Sequence, residues 1–208
     1  SMICAGLSCL YKLRSNQNEF DLSVSEWTSI FNNMQVSQEP YRKITEIKGD
    51  FAFSLGNFSS SRDSYIRSRD LVFNAFGSNH PDFITLSLKI AQAYVEEGSE
   101  MEGFEYADKG LDAGLESYGE NHRLMIPPLT TLGQIYFKKG GYTKSLNLYE
   151  KATEIFVKVC GRENPGYPSL ANNIAILNSK TGNHKKALEF ANLALKSKEE
   201  VMKVFPVM

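Results

Sequence analysis

The chain has 208 residues, of which 42% are hydrophobic and 23% are charged, so it contains enough apolar material for a sizeable core. Its formal net charge is −1, which leaves no basic excess of the kind that attracts DNA or RNA regardless of sequence. No apolar run approaches the ~20 residues that a helix needs to cross a bilayer. We therefore expect a protein or peptide partner, no nucleic acid and no insertion into a membrane.

Cysteine usage indicates the compartment. The three cysteines, Cys4, Cys9 and Cys160, are odd in number and scattered, without the paired spacing of a disulfide framework or a zinc site. A reducing compartment is the simplest fit, so we predict a cytoplasmic location. We predict neither a bound metal nor a cofactor.

Residues 1–37 are the least regular part of the chain. Apolar residues recur at helical spacing on both sides of the polar stretch 15–18, which predicts two helices joined by a turn. The small residues that recur further along are missing here. We interpret this segment as a degenerate N-terminal helical hairpin or cap, because the end unit of a repeat array must present one face to water.

Four glycines then recur at one interval: Gly56, Gly98, Gly140 and Gly182 stand 42 residues apart. A fixed interval of this size is typical of stacked repeats. Small residues lie seven positions before each of these glycines, which lets two helices cross closely there; they are Gly49, Ala91, Gly133 and Ala175. Because glycine readily adopts the left-handed conformation that ends many helices, each interval predicts a helix, a turn and a second helix. The predicted fold is all-α, with repeats at about 38–79, 80–121, 122–163 and 164–208.

His80 and His122 occupy equivalent positions between repeats. Histidine binds metals and titrates near neutrality, so a metal site or a general base is one interpretation. The equivalent position in the next repeat holds Asn164, so no third ligand is in phase. We therefore predict that these residues cap the helix that follows, and we identify no catalytic residues in the chain.

The repeats resemble tetratricopeptide repeats (TPRs), in particular the 42-residue kind found in kinesin light chains. The segment 132–136, Leu-Gly-Gln-Ile-Tyr, fits the signature of the first TPR helix, and Ser145, Tyr149 and Ala152 follow at the spacing of the second. The segment 171–175, Ala-Asn-Asn-Ile-Ala, is similar to the kinesin light chain motif Leu-Asn-Asn-Leu-Ala. The resemblance implies a right-handed α-solenoid of about four TPR hairpins, with the first helix of each pair lining a concave wall.

Residues about one turn from the buried small position of each first helix should face that wall. On this phase we predict a partner-binding groove lined by Lys89, Gln92, Glu96, Thr131, Gln134, Phe137, Lys138, Asn172, Asn173, Ile176 and Lys180. Amide side chains suit a peptide backbone because they both donate and accept hydrogen bonds, and lysines add attraction for acidic groups. The alternative interpretation is that these are ordinary solvated helix residues.

The predicted function is a non-catalytic adaptor or scaffold that holds a peptide or a helix of a partner protein, with acidic residues tolerated. The alternative is a regulatory or targeting arm of a larger multidomain enzyme. A third hypothesis, a free-standing enzyme, has little support in the sequence. TPR modules that clamp the acidic C-terminal tails of heat-shock chaperones need a fixed lysine and asparagine set, whereas the corresponding positions here hold Asp50, Gln92, Gln134 and Ile176.

Overall fold

The structure, a computed structural model, describes residues 38–204 together with Leu22, Ser25, Glu26 and Ser29. The rest of the predicted N-terminal hairpin lies outside the described residues and stays a prediction. The α-helices are α1 (Gln38–Ser54), α2 (Phe58–Phe76), α3 (Pro81–Glu97), α4 (Glu100–Tyr118), α5 (Ile126–Lys138), α6 (Tyr142–Cys160), α7 (Tyr167–Lys180) and α8 (His184–Val204), and a short 3-10 helix (Arg123–Met125) precedes α5. The described residues contain no strand, which confirms the all-α fold class.

The chain divides into two compact units, Ser1–Tyr106 (unit 1) and Ala107–Met208 (unit 2), with the boundary inside α4. In the described ranges, unit 1 holds α1 to α3 with the start of α4, and unit 2 holds the rest of α4 with α5 to α8. The helix pairs α1/α2, α3/α4, α5/α6 and α7/α8 lie within the four predicted repeat segments.

Every connection between successive described helices contains a glycine with a positive φ, between 74° and 90°: Gly56, Gly77, Gly98, Gly119, Gly140, Gly161 and Gly182. These glycines stand 21 residues apart. Residues with a Cβ are strained in this region of φ, whereas glycine is not. The predicted left-handed turns are therefore confirmed, and helices follow one another at a uniform interval.

The close helix crossings of the first and third repeats each combine a glycine with a tyrosine ring. A Cβ on Gly49 would lie 2.5 Å from the Tyr65 ring, and one on Gly133 would lie 2.8 Å from the Tyr149 ring. In the second and fourth repeats the same two sequence positions hold alanine twice, as Ala91 with Ala107 and as Ala175 with Ala191. Bulk on the second helix thus goes with its absence on the first, and the repeats alternate with an 84-residue period.

An ion network joins α1 to α3 in unit 1. Lys89 Nζ lies 2.9 Å from Glu46 Oε1 and 2.8 Å from Asp50 Oδ1. Arg42 is buried, with 3% of its side chain exposed, and its Nη2 lies 2.8 Å from Asp82 Oδ2 at the start of α3. Since a buried guanidinium requires counter-charges, this network fixes how α1 and α3 align.

The network keeps its groups charged at neutral pH. Burial lowers the pKa of Lys89, but hydrogen bonds to Asp50 and Glu46 outweigh burial and raise that pKa above its usual value. Burial raises the pKa of Glu46, but the hydrogen bond and charge of Lys89 outweigh it and hold that pKa below its usual value. Pairing of these groups therefore stabilises the folded state near neutrality.

Replacing Gly133 by leucine should overpack the crossing, because even the first side-chain atom would collide with the Tyr149 ring. We expect the free energy of unfolding to fall by about 1–3 kcal/mol, measured by urea denaturation with circular dichroism. The loss should be smaller in a Tyr149→Ala background, where the ring is absent. Asn147→Leu at an exposed position of α6 is the control, and equal losses in both variants would contradict the packing argument.

Replacing Lys89 by methionine should lower the free energy of unfolding by ~1–2 kcal/mol at pH 7, because two partly buried carboxylates lose their partner. The pKa of Glu46 is depressed in the folded state, so its contribution is present above its unfolded pKa of about 4.3 and is lost as the pH falls through the folded value. Urea titrations from neutral to acidic pH should show the two proteins converging. Lys151→Met is the matched control, since Lys151 forms an exposed pair with Glu120 and its loss should cost little. A difference that does not change with pH would count against the network.

Candidate functional site

The contact between Lys89 and Asp50 identifies the sides on which successive first helices meet, because it joins α3 to α1. The equivalent positions, 84 residues further along, are Asn173 on α7 and Gln134 on α5. We call the surface around them the first-helix face of unit 2; it comprises Gln134, Phe137, Lys138, Asn172, Asn173, Ile176 and Lys180.

Exposure sorts the predicted groove residues into three groups. The exposed ones are Gln92, Glu96, Gln134, Lys138, Asn172, Ile176 and Lys180, and the half-buried ones are Lys89, Phe137 and Asn173. Thr131 differs from the prediction, since it is buried with 4% exposure. The cause is that α5 buries a wide stripe that also contains Pro128, Leu129, Leu132 and Ile135. A partner cannot reach Thr131, which therefore does not belong to the surface.

Lys89 also differs in its role. The sequence predicts that it offers positive charge to a partner, whereas the structure pairs it with Glu46 and Asp50. Sequence reasoning missed this network. The available signal was the pair of carboxylates one helical turn apart on α1, with a lysine at the same phase of the next first helix.

A tyrosine hydroxyl supports the first-helix face in both units. Tyr65 Oη donates to Asp50 Oδ1 at 2.8 Å, and the equivalent Tyr149 is hydrogen-bonded to the side chain of Gln134. Burial and the Asp50 carboxylate raise the pKa of Tyr65. Burial also raises the pKa of Tyr149, while the Gln134 hydrogen bond acts against it. The amide of Gln134 is thus held at one end, in the place where unit 1 has a carboxylate.

Apolar side chains accompany these amides. The Phe137 ring packs against a buried cluster that includes Ile174 and Leu177, so α5 and α7 are neighbours there. Its ring meets that of Tyr142 edge-on, with centroids 5.5 Å apart. Ile176 remains 41% exposed on α7. The face therefore combines amides with accessible apolar surface.

The two units differ in charge. Residues 38–106 carry 7 Lys and Arg against 11 Asp and Glu, a net −4. Residues 107–204 carry 14 Lys and Arg against 10 Asp and Glu, a net +4. Attraction for an acidic ligand therefore belongs to unit 2.

The histidines act as caps. His80 Nδ1 accepts a hydrogen bond from the Asp82 N–H at 3.2 Å, and His122 Nδ1 accepts one from the Leu124 N–H at 3.3 Å, which confirms the capping prediction. Within residues 38–204 and the four described positions before them, no group of three or more His, Cys, Asp or Glu residues could hold a metal ion. No helix in that part of the chain has the length and apolar character needed to span a membrane.

Comparison with known proteins identifies the architecture. Residues 125–200 match the family model described as tetratricopeptide repeat. A search of curated protein sequences finds no significant match.

Several solved structures are similar. BtubC (BKLC) from P. vanneervenii has a TM-score of 0.82 at 13% identity, with 97% of this chain and 82% of that chain covered. The kinesin light chain TPR-like repeats of Podosopora anserina give 0.78 at 14%, with 97% of each chain covered. A Rap protein complexed with Competence and Sporulation Factor gives 0.62 at 14%, with 96% and 66% covered.

These identities are low, so the structural matches establish the fold alone. The family model adds a sequence match to the third and fourth repeats. The chain is therefore a tetratricopeptide repeat protein, with the family signature in residues 125–200 and the family fold over nearly its whole length.

Proposed function

We propose that the first-helix face of unit 2 binds an extended, acidic segment of a partner protein, and that the protein acts as a non-catalytic adaptor or scaffold. The observation that carries the proposal is the exchange of charge for amide between the units. Asp50 and Lys89 pair with each other in unit 1, whereas their equivalents in unit 2 are the neutral Gln134 and Asn173. Neutral amides leave no ion pair that a ligand would have to break.

Amides at these positions suit a peptide main chain. An extended peptide presents N–H and C=O groups in alternation, and an amide side chain can satisfy either. Gln134 is partly oriented already by Tyr149, which reduces the entropy lost on binding. Exposed Ile176 and half-buried Phe137 provide apolar contact for a bulky side chain of the ligand.

Charge favours an acidic ligand. Lys138 and Lys180 lie in the last turns of α5 and α7. Both lysines also face the negative ends of their helix dipoles, which offsets part of their charge. The net +4 of residues 107–204 supplies longer-range attraction, so we expect binding to weaken as salt concentration rises.

The comparisons support a binding role. One similar structure is a Rap protein complexed with Competence and Sporulation Factor, so a TPR-like fold of this kind accommodates another molecule. The scattered cysteines, with Cys160 a free thiol, support a cytoplasmic location.

The double variant Gln134→Glu/Asn173→Glu tests the proposal, because two added carboxylates should repel an acidic ligand. The probe is a fluorescein-labelled peptide with one tryptophan flanked by aspartates and glutamates, followed by fluorescence polarisation. We expect its Kd to rise at least about tenfold, equivalent to ~1.4 kcal/mol. Helicity and Tm should hardly change, since neither residue belongs to a buried core cluster.

The matched control is Asn147→Glu/Asn192→Glu, which makes the same chemical change at exposed positions of the second helices α6 and α8. It should leave the Kd within about twofold of wild type. Unchanged binding by the first double variant, or equal losses in both, would remove the surface assignment. Failure of the wild-type chain to bind the acidic probe would refute an acidic ligand.

A further inference from the structure

Unit 2 contains a cavity of about 410 Å³ between α6, α7 and α8, which shares no lining residue with the first-helix face. The rings of Tyr167 and Phe190 and the side chain of Val157 form apolar parts of its wall. Its charged lining residues are Glu150, Glu154, Lys158 and Arg162. The cavity thus combines aromatic rings with carboxylates.

One residue of the lining has an unused polar group. Thr153 is buried, with 8% exposure, and its hydroxyl oxygen has no hydrogen-bond partner within the described part of the chain. Buried hydroxyl groups are almost always hydrogen-bonded, so an orphan of this kind needs an explanation. A ligand that donates a hydrogen bond supplies one, once rotation about χ1 turns the hydroxyl toward it.

Unit 1 contains the same arrangement with its centre occupied. Arg69, Asp70, Phe83 and Tyr106 stand 84 residues before Thr153, Glu154, Tyr167 and Phe190. The Arg69 guanidinium carbon lies 5.1 Å from the centroid of the Tyr106 ring and 5.9 Å from that of Phe83. Arg69 Nη2 also lies 2.8 Å from Asp70 Oδ1.

Unit 2 therefore keeps the two aromatic rings and the carboxylate but has threonine in place of arginine. We propose that this cavity is a binding site for a guanidinium group, supplied by an arginine side chain of a partner protein. The rings of Tyr167 and Phe190 stack on its planar face, Glu154 accepts its N–H groups, and Thr153 accepts one more. Lysine is a poorer ligand, because its ammonium is compact and does not stack.

The chain's own Arg162 competes for part of this site. It is exposed, and its guanidinium carbon lies 5.9 Å from the Tyr167 centroid at the rim. Together with Lys158 it opposes an incoming cation, while Glu150 and Glu154 attract it. Binding should therefore be weak for an isolated arginine and should strengthen when Arg162 is removed.

The direct test uses N-acetyl-L-arginine amide, with N-acetyl-L-citrulline amide as a neutral analogue of the same shape. Both are titrated into the ¹⁵N-labelled chain, and backbone NMR shifts are followed. We expect saturable shifts in α6, α7 and α8 with arginine and much smaller ones with citrulline. Free L-arginine is the third arm. Binding as tight as the blocked amide fits a side-chain site, whereas markedly tighter binding overturns the protein partner in favour of a small metabolite.

Two substitutions at position 153 and its counterpart sharpen the test. Thr153→Arg reproduces the unit 1 arrangement, so it should fill the cavity, abolish the arginine shifts and leave Tm equal or raised. Leu195→Arg is the matched control, since it adds arginine at the same position of the next repeat, where the side chain is 59% exposed. It should leave the shifts intact. The reverse change, Arg69→Thr, should create a second set of arginine-dependent shifts in α2 and α3.

Glu154→Gln carries the test if Thr153→Arg fails to fold, because Glu154 is exposed and its loss leaves the core intact. It should weaken arginine binding at least about fivefold, and Arg162→Gln should strengthen it. Absence of shifts with blocked and free arginine, or equal shifts with arginine and citrulline, would overturn the proposal. Neither result bears on the first-helix face, which is probed by a different ligand and different variants.

Discussion

The structure depends on a turn that only glycine makes without strain. A positive-φ glycine separates every pair of successive described helices, and these glycines recur every 21 residues. A helix that ends in the left-handed conformation satisfies its last carbonyl groups within a tight turn. Uniform spacing of the turns then places chemically equivalent positions at constant sequence offsets. Differences between repeats can therefore be read as differences in packing and charge.

The first such difference is an alternation in the helix crossings. Tyr65 and Tyr149 each lie against a glycine, and each directs its hydroxyl to the residue after that glycine. In the other two repeats, alanines occupy the same positions of both helices. Close packing leaves little room for an intermediate solution, because one ring fills the space that a Cβ would need. This alternation makes the third repeat a better guide to the first than the second is.

Units 1 and 2 use this common framework differently. In unit 1, Lys89 and Arg42 satisfy carboxylates between the first helices, and Arg69 lies between two aromatic rings on the second-helix side. In unit 2, the equivalent places hold neutral amides and an open cavity beside Thr153. Internal ion pairs and a filled cavity stabilise one unit. Their absence in the other leaves polar groups and rings available to ligands.

Local signals made most of the fold predictable. The glycine interval, the small residues at crossings and the caps at His80 and His122 act within one turn or one hairpin, so they depend on the residues nearby in sequence. The surface was less predictable. Thr131 has the helical phase of a groove residue, yet α5 is covered over a wider angle than one stripe and buries it.

The amino-acid sequence by itself determined the repeat length, the turns and the pairing of helices, since backbone preferences and small residues at fixed intervals allow few alternatives. Only the tertiary structure decided which charges are used internally and which spaces stay open. Lys89 reaches carboxylates about 40 residues away in sequence, and the cavity of unit 2 is enclosed by three helices. Such contacts depend on the distance between neighbouring helices, which no single helix encodes.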